Sequence, residues 1–140
     1  MFTEEEKQRI VASIQDAERN TSGEVKVHVE RHCTSEPIQR AKEVFIQLEM
    51  NRTQLHNGVL FYIALEDHKF AILGDSGIDA AVPADFWENI KEMMRALFRQ
   101  GKIADGLVAG IEQAGQQLKS HFPYQSNDVN ELSDDISFGE

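Results

Sequence analysis

The sequence holds a single cysteine, Cys33, so it can form no internal disulfide and offers no thiolate cluster for zinc. That usage fits a reducing compartment. No run of about 18 apolar residues occurs, which removes the ordinary membrane-spanning helix. The opening residues, Met1-Phe2-Thr3-Glu4-Glu5-Glu6, are acidic where a secretory signal would be basic and then apolar. A cytoplasmic chain with no membrane span is the expectation. Basic residues are also scarce: 14 Lys and Arg stand against 24 Asp and Glu, for a net charge of −10, and no stretch concentrates them. Without a basic patch to neutralise phosphates, nucleic acid is not an expected partner. No internal repeat is visible.

What is present reads as one α/β domain. At 140 residues the chain can bury roughly two-thirds of its unfolded surface in one core. The negative charge is uneven, because residues 124–140 carry five acids and no Lys or Arg, half of the net charge. The expected organisation is a domain over residues 1–123 followed by an acidic, mobile tail over 124–140, in which Leu132, Ile136 and Phe138 are the residues able to dock.

The most informative stretch is Asn57 to Gly77, NGVLFYIALEDHKFAILGDSG. Val59 to Leu65 and Phe70 to Leu73 are β-rich runs joined across the charged turn Glu66 to Lys69, which predicts an antiparallel hairpin. The first run is apolar at nearly every position, so both its faces should be covered by helices. Before it, Thr3 and Glu6 make a capping box, and Ile10, Val11, Ile14 and Ala17 recur at helical spacing over about residues 4–19. Glu24 to Arg31 alternates Val25, Val27 and Val29 with Lys26, His28 and Glu30, the pattern of a half-buried strand. Pro37 opens a second helix to about Met50, with the stripe Ile38, Ala41, Val44 or Phe45, and Leu48.

Strand, helix, strand is a crossover unit, so strands one and two should run parallel. The hairpin then returns the third strand against them. Ile78 to Val82 reads as a short fourth strand or a loop. Pro83 and Asp85 open a helix facing Phe86, Ile90, Met93, Met94, Leu97 and Phe98 inward, with Trp87 partly toward solvent, and Ala104 to Ser120 forms the last helix. Gly106, Gly110 and Gly115 within it cost about 1 kcal/mol each relative to Ala, which points to close backbone approach by a neighbour. The fold class is therefore a three-layer α/β/α sandwich around a small mixed sheet.

This topology gathers three Gly-containing turns at one sheet edge: Ser22-Gly23-Glu24, His56-Asn57-Gly58 and Gly74-Asp75-Ser76-Gly77. Their carboxylate and amide oxygens suit a hard cation, Ca²⁺ or Mg²⁺, with Asp75, Glu24 and Asn57 as ligands and Ser76, Asp79, His56 and Arg52 as further candidates. The competing reading is ordinary turn chemistry, glycine supplying positive φ and Asx side chains bonding nearby backbone, with Glu24 a solvated strand end.

Three other patterns are set aside. Cys33 and Arg40 come near the Cys-x5-Arg loop of cysteine phosphatases, but six residues intervene and no glycine frees backbone N–H groups for a phosphate. His28 and His32 lie about 13 Å apart along a strand, too far to share a metal, and read as surface residues. Asp128 to Asp135 spaces oxygen ligands like a calcium loop, yet lacks the glycine at position six and the glutamate at twelve.

The assembled motifs resemble the TPM domain family, named for a thylakoid-lumen phosphatase, a photosystem repair factor and a nematode receptor modulator. The resemblance covers about residues 3–123 and is carried by Thr21 to Glu24, Asn57-Gly58-Val59-Leu60, Leu65-Glu66-Asp67 with Lys69, Ile72 to Ile78, and Phe98 to Gly101 with Gly106-Leu107. The ending Asn130 to Gly139 is similar to that of short, free-standing bacterial members. The resemblance implies an α/β/α sandwich, bound divalent cations, and the acid phosphatase activity of plant members. Many relatives carry a signal peptide and membrane anchor, which this sequence does not show, and a Lys or Arg often stands where this chain has His56. Two functions follow as expectations: a divalent-cation-binding domain with a weak phosphomonoester hydrolase activity, or a non-enzymatic module for protein interaction, repair or assembly.

Overall fold

A computed structural model describes residues 2–53, 55–83, 85–123 and 135–139. The capping box forms as its residues dictate: Glu6 N donates to Thr3 Oγ1 at 3.1 Å and Thr3 N to Glu6 Oε1 at 2.8 Å, opening helix α1 over Glu4–Arg19. Strand β1 (Glu24–Glu30), helix α2 (Pro37–Gln47) and a 3₁₀ turn at Met50–Arg52 lead to strand β2 (Gly58–Ala64), which the hairpin joins to β3 (Lys69–Gly74). Strands β1 and β2 pair in parallel, Glu24 beside Gly58, and β2 and β3 pair antiparallel, Val59 beside Gly74.

The hairpin, the crossover and the helices on both faces agree with the sequence reading. Helix α4 spans Glu88–Arg99, starting later than Pro83 and Asp85 suggest, and α5 spans Ile103–His121. Trp87 is half-buried. On one face of the sheet Val25, Val27, Val29, Val59, Phe61 and Ile63 pack under α1, α4 and α5; on the other, Leu60, Tyr62 and Ala71 pack under α2 with Met50. The glycines of α5 sit where close approach demands them: an added Cβ would come within 2.4 Å of the Phe98 ring at Gly106, 2.5 Å of Met94 sulfur at Gly110, and 2.8 Å of Ala17 Cβ at Gly115.

Two expectations are corrected. Ile78 to Val82 is no strand: Asp75 caps a short helix, α3 (Ser76–Ala81), because its carboxylate accepts from Ser76 N at 2.7 Å and Asp79 N bonds back to Asp75 O at 3.1 Å. The fourth strand is instead β4, Ser137–Phe138, parallel to β1 on its outer side, giving the order β3-β2-β1-β4. That placement makes β1 an interior strand. All seven of its residues are buried, including Lys26, His28 and Glu30, so β1 is not half-buried and His28 is not a surface residue.

Ile136 packs against the larger core, and Phe138, 45% exposed, lies with Lys7 Nζ 5.6 Å from its ring centre. Leu132 and all of the calcium-loop-like segment except Asp135 lie outside the described residues. Among the described residues no helix is long and apolar enough to cross a membrane.

Candidate functional site

Backbone pairing closes the predicted edge. Glu24 N donates to Asn57 O at 3.3 Å, Asp75 N to Gly58 O at 3.0 Å and Gly77 N to His56 O at 2.8 Å, while Asn57 Nδ2 donates to Ser22 O at 3.1 Å. The three turns therefore meet. In register, Glu24 and Asp75 flank Gly58 on the α2 face of the sheet, their Cα atoms two strand spacings or about 10 Å apart. Gly58 puts no side chain between them.

Asp75 is the residue of this edge whose surroundings are least complete. Its Oδ1 is spent on capping α3, but Oδ2 is buried and has no hydrogen-bond partner. His56 Nδ1 stands 3.5 Å from Oδ2, within ion-pair range and too long for a hydrogen bond. His56 itself holds a left-handed conformation, φ 51°, on an exposed turn. A second orphan, Thr53 Oγ1, is buried in the same loop. Gly77 fits tightly beneath: a Cβ there would lie 2.4 Å from Leu55 O and 2.6 Å from His56 O.

The remaining candidates divide by exposure. Glu24 and Asn57 are buried, so Glu24 is not a solvated strand end, whereas Ser76, Asp79 and Arg52 are exposed and Arg52 pairs with Glu49 at 3.1 Å. Among the described residues no three His, Cys, Asp or Glu side chains converge as a metal cluster. The edge thus brings the Asp75 and Glu24 carboxylates and the Asn57 amide onto three turns joined by backbone hydrogen bonds.

Sequence reasoning missed a second polar centre. On β1, Glu30 receives Arg40 through Nε at 3.2 and 3.1 Å and Nη2 at 2.5 Å, and Tyr62 Oη at 2.7 Å. His28 Nε2 lies 3.1 Å from Glu30 and its Nδ1 2.8 Å from Ser137 Oγ of β4. With the carboxylate on one side and a hydroxyl on the other, the network assigns a neutral ring donating from Nε2. Burial pushes the Glu30 pKa up, yet the hydrogen bonds from Arg40, Tyr62 and His28 outweigh it and hold it at about 2. Burial lowers the pKa of His28, partly offset by Glu30, and burial with the Glu30 hydrogen bond raises that of Tyr62.

Every polar atom of this carboxylate is taken, which makes the cluster a fastening between β1, β2, α2 and β4. Gly139 completes it, since a Cβ there would come within 2.6 Å of Glu30 and 2.8 Å of His28 Nε2. The signal that could have revealed it is three ionisable residues alternating along a strand whose partner, β2, carries Tyr62 at the matching register. Cys33, by contrast, is buried with its thiol on Ser35 O at 3.2 Å, and Arg40 is committed to Glu30, so the pair forms no phosphate loop. His32 is exposed between Glu66 and Asp67. The Cys33 backbone N–H and the His32 ring together lower the Asp67 pKa.

The fold and the sequence both have counterparts. The BA42 protein of the psychrophilic bacterium Bizionia argentinensis, solved by NMR, is 45% identical over 99% of this chain and 96% of its own, with a TM-score of 0.94. The N-terminal domain of the cg2496 protein of Corynebacterium glutamicum shares the fold at 14% identity, with a TM-score of 0.70 over 94% of this chain and 82% of its own. No curated protein matches the chain. The TPM domain profile matches residues 1–117, spanning the hairpin, the three converging turns and most of α5. With the expected sandwich in place and that match covering most of its length, the chain belongs to the TPM domain family.

Proposed function

We propose that this TPM domain binds a divalent cation, Ca²⁺ or Mg²⁺, at the three-turn edge, with Asp75, Glu24 and Asn57 as ligands. The observation that carries this reading is Asp75 Oδ2, a buried carboxylate oxygen with no hydrogen-bond partner. Such an atom is costly to bury unless a cation compensates it. Oxygen donors of a carboxylate, an amide and backbone carbonyls suit a hard ion, and the absent side chain at Gly58 leaves Glu24 and Asp75 able to lean toward one centre. Two carboxylates are few for such a site, so the affinity should be weak, with a dissociation constant on the order of 10⁻⁴ M.

A weak acid phosphatase activity is the chemistry this site would support. When bound, the ion supplies polarisation of a phosphoryl oxygen and activation of water. His56, exposed and 3.5 Å from Asp75 Oδ2, is the side chain available to orient a phosphate monoester, with Arg52, exposed but paired with Glu49, a further candidate. The alternative is a non-enzymatic interaction module, favoured by one observation: Cys33 is buried and Arg40 is committed to Glu30, so the chain's nearest approach to a phosphatase loop is out of use.

Titration with Ca²⁺ and then Mg²⁺, followed by amide NMR shifts, tests the first reading. Saturable shifts at Gly23-Glu24 and Gly74 to Gly77 are expected, and their absence below millimolar metal would sink the site. Turnover of p-nitrophenyl phosphate by wild type and Asp75→Ala separates the second: equal rates would mean that any activity has another origin.

A further inference from the structure

A cavity lies at the other end of the sheet from the three turns. It is a cleft of about 720 Å³ between the end of the hairpin, the start of α1, the last turns of α4 and the start of α5. Strand β2 runs its seven residues between the two places, so they stand about 20 Å apart and share no residue. The cation site and this cleft are independent.

The floor of the cleft is apolar and aromatic. Phe2, Ile63, Phe70, Phe98 and Ile103 line it, and the Phe70 and Phe98 rings meet edge to face at 5.0 Å. Phe70, Phe98 and Ile103 are only partly buried, although each packs against the main core. Their unburied faces give an incoming apolar group a surface to cover.

The rim carries the opposite sign from the rest of the chain. In a protein of net charge −10, the lining holds Lys69, Arg95 and Arg99 against one acid, Glu6. Glu6 has one oxygen committed to the capping box, and Lys69 Nζ is turned to Cys33 O at 3.0 Å. The two arginines remain. They stand one turn apart on α4; Arg95 lies 5.7 Å from the Phe70 ring centre and pairs through Nη1 with exposed Glu92, while Arg99 is exposed and has no ion-pair partner among the described residues.

From this juxtaposition we infer that the cleft is a binding site for an amphipathic monocarboxylate of the medium-chain fatty acid class, its chain on Phe70 and Phe98 and its carboxylate at Arg95 and Arg99. A volume of this size is that of a small-molecule site. The five floor side chains carry no hydrogen-bonding group, which suits an alkyl chain. Guanidinium groups are the side chains that hold carboxylates in a two-point grip.

The test is an amide NMR titration of the full chain with decanoate below its micelle concentration, beside decan-1-ol and decyltrimethylammonium. Saturable shifts at Phe70, Phe98 and Gly101 are expected, with the alcohol binding about tenfold more weakly and the ammonium weaker still. Arg95→Gln/Arg99→Gln, two changes outside the core, should lose that preference for the carboxylate and keep the alcohol's affinity. No saturable shift, shifts confined to other regions, or equal affinity for all three amphiphiles overturns the proposal. So does an acidic peptide without an acyl chain that shifts the same amides as strongly as decanoate.

Discussion

Arg40 of α2 grips Glu30 of β1 across the sheet face with both Nε and Nη2, the shortest contact being 2.5 Å. The Glu30 side chain is 4% exposed and that of Arg40 27%, so the pair joins a buried acid to a partly exposed base. Removing the base leaves Glu30 with Tyr62 and His28 alone.

Arg40→Ala should therefore destabilise the fold by about 2–3 kcal/mol, below the full cost of breaking a buried pair because Arg40 is partly solvated. Urea unfolding measures it. A loss under about 0.5 kcal/mol would mean that the remaining partners suffice to hold the charge.

The same cluster sets a pH dependence. His28 has a folded pKa below its usual value of 6.5, so the unfolded chain binds its proton first. Stability is then fully present above 6.5 and falls as pH drops below it. Glu30 adds a second loss as pH falls from 4.5 toward about 2, worth about 3 kcal/mol in all. Unfolding midpoints at stepped pH should show both phases. In His28→Gln the first should flatten and the second persist.

Asp75 caps α3 with one oxygen and leaves the other unpaired, which lets the two roles be separated. Asparagine is as good a cap as aspartate and carries no charge at the unpartnered position, so Asp75→Asn should leave the ion-free fold at least as stable as wild type. The calcium-induced shifts at Gly74 to Gly77 should nonetheless vanish. Retained shifts in this variant would assign the ion to other residues.

Gly77 is pressed against backbone rather than a movable side chain, with Leu55 O only 2.4 Å from where a Cβ would sit. Gly77→Ala should cost about 1–3 kcal/mol, because the loop carrying His56 must shift. It should also weaken the cation response through that displacement. Thermal unfolding together with a calcium titration gives both readouts.

Much of the framework was legible in advance because it is local. Thr3 and Glu6 announce α1, and the apolar run of β2 requires cover on both faces. Asn57-Gly58 and Gly74 to Gly77 mark the hairpin's outer ends, and the crossover rule then brings them to the start of β1. What stayed hidden depended on neighbours distant in sequence. Alternation along Glu24 to Glu30 shows that one face of β1 is polar, but not that α2 lies over that side of the sheet and β4 joins its edge.

By itself, then, the sequence determined the main helices, the hairpin, the parallel crossover and the gathering of Ser22–Glu24, His56–Gly58 and Gly74–Gly77 at one edge, all consequences of periodicity and chain connectivity. Only the tertiary structure decided that Ile78 belongs to a helix capped by Asp75 and that Ser137–Phe138 makes the fourth strand. It also decided that His28 and Glu30 are interior. The physical reason is one of range. A cap or a turn is settled by atoms a few residues apart, whereas the burial of a charge is settled by what the rest of the chain brings against it.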